Sequence, residues 1–163
     1  MATLTVWKFD SAYGAEEAEG ILKGLEQQEL ITIHDAAVVS WEVGKKKPKT
    51  RQLHNLAGAG ALGGMFWGML FGLIFFVPLF GAAIGAATGA LAGSMSDVGI
   101  DDDFIKTARD KVTPGTSALF LMSSGAVQEK VKAAFDERGV KPELIESNLS
   151  AEQEAELREM LAQ

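Results

Sequence analysis

Leu56–Gly93 reads LAGAGALGGMFWGMLFGLIFFVPLFGAAIGAATGALAG. These 38 residues hold no charge, and Thr88 is their only hydroxyl-bearing side chain. The chain around them is different in kind, with 15 Lys and Arg, 22 Asp and Glu, and a net charge of −7, yet none of those charges falls between Arg51 and Asp97. Such a stretch is a membrane element, a buried helix, or a surface that packs on copies of itself. Which of these it is depends on how the chain enters and leaves it.

Upstream, Thr3–Phe9 (TLTVWKF) alternates and is rich in β-branched and aromatic residues, so it reads as a strand. A helix follows from about Ala15 to Gln28, with Ala18, Ile21, Leu22 and Leu25 on one face. Gly20 and Gly24 each cost that helix about 1 kcal/mol relative to Ala, which close packing onto a sheet would offset. A second strand is expected over 36–43 (AAVVSWEV), then a basic loop from Gly44.

Downstream, SDVGIDDDFI places carboxylates where a helix N-terminus favours them, and Phe104, Ile105, Ala108 and Val112 form the apolar face of that helix. Ser117–Ser123 is a third strand. Val127, Val131, Ala134 and Phe135 mark a helix that stops at Gly139, and Leu144–Leu149 is a fourth strand. Ser150 to Gln153 has capping-box form and starts a terminal helix over 150–163, a candidate for docking on a neighbouring subunit.

With the middle removed, the order is strand–helix–strand twice. The expected fold class is therefore α+β: a ferredoxin-like split βαβ domain, built from 1–51 and 97–163, with a glycine-rich apolar helical hairpin (52–96) inserted between the second and third strands. If those two strands share a sheet, the insertion returns to the side it left, so a single membrane crossing is excluded. Residues 55–76 and 78–96 form the two arms, about 33 and 28 Å long at 1.5 Å per residue, near the thickness of a hydrocarbon core. Pro78 separates them, and Phe75, Phe76, Pro78 and Phe80 make an unusually apolar tip.

Gly60, Gly64, Gly68 and Gly72 recur every fourth residue in the first arm, and Gly81, Gly85, Gly89 and Gly93 in the second. Period-four glycine makes a smooth stripe on a helix, and two stripes let backbones approach closely. In water, glycines at about 1 kcal/mol each against Ala would weaken both helices, so the arms need an apolar or tightly packed setting. They either face lipid and each other, or pack with other copies inside a soluble assembly. Lys45, Lys46, Lys47, Lys49 and Arg51 precede the first arm, where they suit cytoplasmic orientation and anionic headgroups, or simply a solvated loop.

Chemistry is harder to find. The acidic balance argues against nucleic acid as a partner. Cys is absent, and His34 and His54 have no metal-ligand spacing. Asp101, Asp102 and Asp103 are consecutive and diverge on a helix, and the glycine-rich segment lacks a Walker lysine. The expectation is no enzyme, no cofactor, no metal and no catalytic residue. The N-terminus MATLTVWKFD lacks the basic and apolar regions of a secretory signal.

DAAVVSWEVGKKK (35–47), the glycine-striped hairpin, VTPGTSALFLM (112–122) and LSAEQEAELREML (149–161) together resemble a family of small bacterial proteins. That family is known as predicted membrane proteins of unknown function, some with stress-protein relatives. The resemblance implies a bacterial origin and a setting in envelope or stress physiology; it implies no activity. The leading expectation is thus a non-enzymatic homo-oligomer whose partners are itself and membrane lipid, at the bacterial inner membrane with its α+β domain in the cytoplasm. The alternatives are a cytoplasmic assembly with the hairpins enclosed in protein, and a ferredoxin-like domain that senses a small ligand.

Overall fold

A computed structural model describes residues 2–28, 33–52, 67, 70–76, 100, 102–124, 127–139, 142–148 and 152. Five strands and three helices are found among them: β1 (Ala2–Phe9), α1 (Gly14–Gln27), β2 (Ile33–Ser40), β3 (Lys49–Gln52), α2 (Asp102–Lys111), β4 (Ser117–Ser124), α3 (Val127–Glu137) and β5 (Glu143–Asn148). Between β3 and α2, Trp67, Leu70 and Phe71 are helical and lead into a π-helical turn, Gly72–Phe76. The strands form one sheet in the order β3-β2-β4-β1-β5, and every adjacent pair is antiparallel. The fold is α+β.

Successive side chains on a strand point to opposite faces, and here both faces are apolar. Trp7, Val38, Leu119 and Leu121 point to one face, where Ala15, Ala18 and Leu22 of α1 and Val131 and Phe135 of α3 cover them. Trp7 and Phe135 meet edge to face at 5.3 Å. Leu4, Val6, Val39, Phe120 and Met122 point to the other, against Phe104, Ile105 and Ala108 of α2 and against Trp67, Leu70, Phe71, Leu73, Ile74 and Phe75. The register makes this consistent across strands: Val6 pairs with Phe120, Trp7 with Leu119, and Ala37 with Phe120.

The described part of the uncharged stretch is therefore a core element. Trp67, Leu70, Phe71, Leu73, Ile74 and Phe75 are each at most 3% exposed. Phe71 meets Phe120 edge to face at 5.0 Å and stacks on Trp67 at 5.7 Å. Six such side chains at about 1.5–3 kcal/mol each contribute on the order of 10 kcal/mol, as much as the whole net stability of an ordinary domain. The domain depends on this cover.

Three local expectations change. Residues 49–51, expected in a basic loop, and Gln52, expected to open the hairpin, form edge strand β3, which needs one partner only and tolerates outward charge. The second strand lies three residues earlier than expected and ends at Ser40, leaving Trp41–Val43 in the connection to β3. Gly20 and Gly24 do not serve close packing: among the described residues, an added Cβ on either meets nothing within 4 Å. Close approach is needed at Gly14 instead, where a Cβ would sit 2.6 Å from Phe9 Cβ. The terminal helix lies outside the described residues except for Glu152, which is helical.

Two substitutions separate cover from surface. Phe71→Ala is expected to destabilise the fold by about 3–5 kcal/mol, whereas Gly20→Ala is expected to stabilise it by about 0.5–1 kcal/mol. Urea unfolding followed by circular dichroism checks both; a Phe71→Ala midpoint equal to wild type would mean that the stretch does not belong to the core.

Candidate functional site

Two places gather polar chemistry among the described residues, and both adjoin the β2–β3 connection. The first lies on the α1 side. Arg51 pairs in register with Val38, and Val38 faces α1, so the Arg51 side chain rises toward that helix. There its Nη1 donates to Glu19 Oε1 at 3.2 Å and its Nη2 to Oε2, a two-pronged ion pair. Lys23, one turn along α1, adds a third contact to Glu19 at 3.1 Å. Glu19 is 6% exposed. Burial alone would push its carboxyl up, but the hydrogen bonds and charges of Arg51 and Lys23 outweigh that and hold it below the ordinary carboxylate range.

Beyond this clamp, α1 and the edge strand leave an open cleft of about 360 Å³, lined by Tyr13, Glu16, Val38, Ser40, Glu42, Lys49, Thr50 and Arg51. The Tyr13 hydroxyl lies 3.4 Å from Glu42 Oε1. The lining mixes both signs of charge, and no group of three or more metal-ligating side chains is found among the described residues. Its hydroxyls and charges of both signs are groups that could hydrogen-bond a small polar molecule.

The second place is on the opposite face, where the connection after β2 meets the turn before β4. Thr113-Pro114-Gly115-Thr116 closes with Thr116 N–H donating to Thr113 O at 3.0 Å. Pro at the second position and Gly115 at φ +88° suit a type II turn. Gly115 N–H donates to Trp41 O at 2.6 Å and Trp41 N–H to Thr116 O at 3.0 Å, which joins the turn to the connection. Ser117, next in the chain, turns back to the α1 side and caps that helix: its hydroxyl accepts from Ala15 N–H at 2.9 Å and donates to Ser11 O at 2.7 Å. Arg109 of α2 donates to the carbonyls of Leu73 at 2.8 Å and Ile74 at 3.3 Å, pinning the π-helical turn to α2.

Of the residues singled out in the sequence, Lys45, Lys46 and Lys47 are exposed in the connection, Lys49 is exposed on β3, and Arg51 is engaged with Glu19. Phe75 is buried against Trp41 at 6.0 Å, and Gly72 and Phe76 lie in the π-helical turn. Gly60, Gly64, Gly68, Gly81, Gly85, Gly89, Gly93, Pro78 and Phe80 lie outside the described residues, as do His54 and Asp101. Sequence reasoning missed Glu19, Ser117 and Arg109. The period of Glu16, Glu19 and Lys23 along α1 was a signal for the first. The other two act across long separations that no local pattern reports.

Residues 61–162 match the DUF1269 family, described as a protein of unknown function. The chain belongs to the DUF1269 family. The match takes in Trp67, the cover residues from Leu70 to Phe75, α2, β4, α3 and β5, so the family region holds both the second cover and the central strand beneath it. Strands β1–β3, and with them Trp41 and the lysines, lie before it. No curated protein and no solved structure matches the chain.

The Glu19 clamp has a pH signature. A carboxyl whose folded pKa is depressed adds stability above its unfolded pKa, and this is lost as pH falls through the folded value. Glu19→Gln should therefore cost about 1–3 kcal/mol near neutrality, with the gap to wild type closing at acid pH, below the ordinary glutamate range. Urea midpoints across a pH series check this; a gap that stays constant with pH would rule out the ion pair as its source.

Proposed function

We propose that this protein is a non-enzymatic, self-associating protein that works at a membrane, with the uncharged segment as its contact surface. The observation that carries the reading is the pair of uninterrupted period-four glycine series inside a stretch without charge. Glycine stripes cost helical stability in water and are recovered by close helix packing in apolar surroundings. Among the described residues, an added Cβ on Gly72 meets nothing within 4 Å, which is compatible with a face kept open for another helix.

The remaining described surface supports this assignment of roles. Tyr13 and Val43 are its only exposed large hydrophobic side chains, and both sheet faces are covered by the chain itself. Edge strand β3 carries Lys49 and Arg51, charges that discourage edge-to-edge pairing. Association through the β3 edge has little to work with here. The fold reading that accompanies the proposal is ferredoxin-like: without β3, the strand order is β2-β4-β1-β5, with one helix after β1 and one after β4. The helical hairpin is then an insertion on the way from β3 to β4. The proposed location is the cytoplasmic face of a bacterial inner membrane, with the lysines on the cytoplasmic side.

A second reading is favoured by one observation. Trp67 and Leu70–Phe75 lie under the chain's own sheet, so this part of the first arm is covered by protein. In that reading the glycine stripes pack copy against copy in a soluble assembly, without lipid.

Particle mass in mild detergent and without it, together with carbonate washing of membranes, separates the two. Membrane retention after carbonate and a detergent-dependent oligomer are expected. A large particle that needs no detergent would transfer the assignment to the soluble assembly, and a small soluble monomer would overturn both. The double substitution Gly64→Leu with Gly85→Leu is expected to reduce particle size while the domain still unfolds cooperatively.

A further inference from the structure

Arg109 is an arginine held by carbonyls. Its Nη2 and Nε donate to Leu73 O and Ile74 O, and among the described residues it makes no ion pair. Carbonyl dipoles fix its position without neutralising its charge, and no carboxylate pairs with it among the described residues. Asp110, beside it in sequence, is exposed and lies about 100° away around the helix.

This guanidinium borders an apolar cleft of about 140 Å³ whose other walls are Trp41, Ile74, Phe75, Val112, Thr113 and Pro114. A volume of about this size accommodates a benzene-sized apolar group. The basic connection is anchored at the same place, because the Trp41 indole N–H donates to the Lys45 carbonyl at 3.0 Å. Lys45, Lys46 and Lys47 are exposed there, and Val43, 81% exposed, lies 3.0 Å from where a Cβ on Gly115 would be. Glu42 is the acid of this connection. Its contact with the Tyr13 hydroxyl holds it on the α1 side of the sheet, away from the cleft.

An arginine held by carbonyls, an indole, an apolar cleft and three neighbouring lysines suit an anionic amphiphile at an interface: charge meets the head, and the cleft takes the adjoining apolar part. We infer that this cleft binds one anionic phospholipid of a bilayer surface, with Arg109 meeting the headgroup phosphate and Trp41 and Phe75 flanking the first apolar groups. The inference rests on the membrane reading above and gives it a lipid class and a site. It places the lipid contact on the folded domain, separate from the glycine stripes.

The test is vesicle flotation of the full chain with phosphatidylcholine alone and with added phosphatidylglycerol, at low and raised salt. Preference for the anionic vesicles by at least about tenfold, falling with salt, is expected. Joint replacement Lys45→Gln, Lys46→Gln and Lys47→Gln should weaken anionic binding roughly 100-fold and Arg109→Gln alone roughly fivefold, with Arg109→Lys restoring most of the latter loss. Tryptophan quenching by phospholipid brominated near the headgroup reports the site directly and should be lost in Trp41→Phe. Should Arg109→Gln fail to fold, the lysine variant and the Trp41 quenching decide the matter. Equal binding to neutral and anionic vesicles overturns the cleft and leaves the uncharged segment as the membrane contact. So does anionic binding undiminished in folded Arg109→Gln, with no Trp41 quenching in the wild type. Absence of binding to either vesicle overturns both.

Discussion

Phe120 and Leu121 are neighbours on the central strand, point to opposite faces, and are both fully buried. That pair states the constraint on which the molecule depends: β4 is hydrogen-bonded on both edges and apolar on both faces, so the sheet has to be covered twice. The helices α1 and α3 supply one cover from within the repeated strand–helix–strand units. The other comes from α2 and from the middle of an uncharged stretch that joins the halves. Removing that second layer would expose Leu4, Val6, Val39, Phe120 and Met122 together, a contiguous apolar patch that soluble domains rarely carry.

Once both covers are in place, the polar residues divide into fasteners and exposed chemistry. Arg51 and Glu19 fasten the edge strand to α1, Ser117 fastens the start of α1 to β4, and Arg109 fastens the π-helical turn to α2. Each joins segments distant in sequence, from 32 residues for Glu19–Arg51 to 102 for Ala15–Ser117. What is left on the β2–β3 connection is basic and partly apolar, with its carboxylate turned to the opposite face. Trp41 and Glu42 are consecutive just past the end of β2, and one meets Phe75 while the other meets Tyr13, on opposite faces of the sheet.

The four main strands and three helices were legible because their patterns are local: TLTVWKF, SALFLMS and the i, i+4, i+7 spacing of Val127, Val131 and Ala134 announce their elements within a few residues. The double covering was also written in the chain, as AAVV at 36–39 and ALFLM at 118–122. Unbroken apolar runs on strands mean burial on both sides, and a sheet with one wet face would have alternated. Strand β3 was not legible, since KTRQ has little strand propensity and is recruited by pairing with β2. The candidate site was half legible: the lysines stood out as a cluster, but Arg109 gains its meaning from Leu73 and Ile74, more than 30 residues away.

The strand order has a consequence for synthesis. β1 and β2 do not touch each other; β4 lies between them, and it ends at Ser124. A chain emerging from the ribosome therefore presents Trp67, Phe71 and Phe75 well before the surface that buries them exists. During that interval the nascent segment must be sheltered by something else, whether a chaperone or a bilayer. The order of translation thus offers this segment to an outside apolar partner before it offers it to its own sheet.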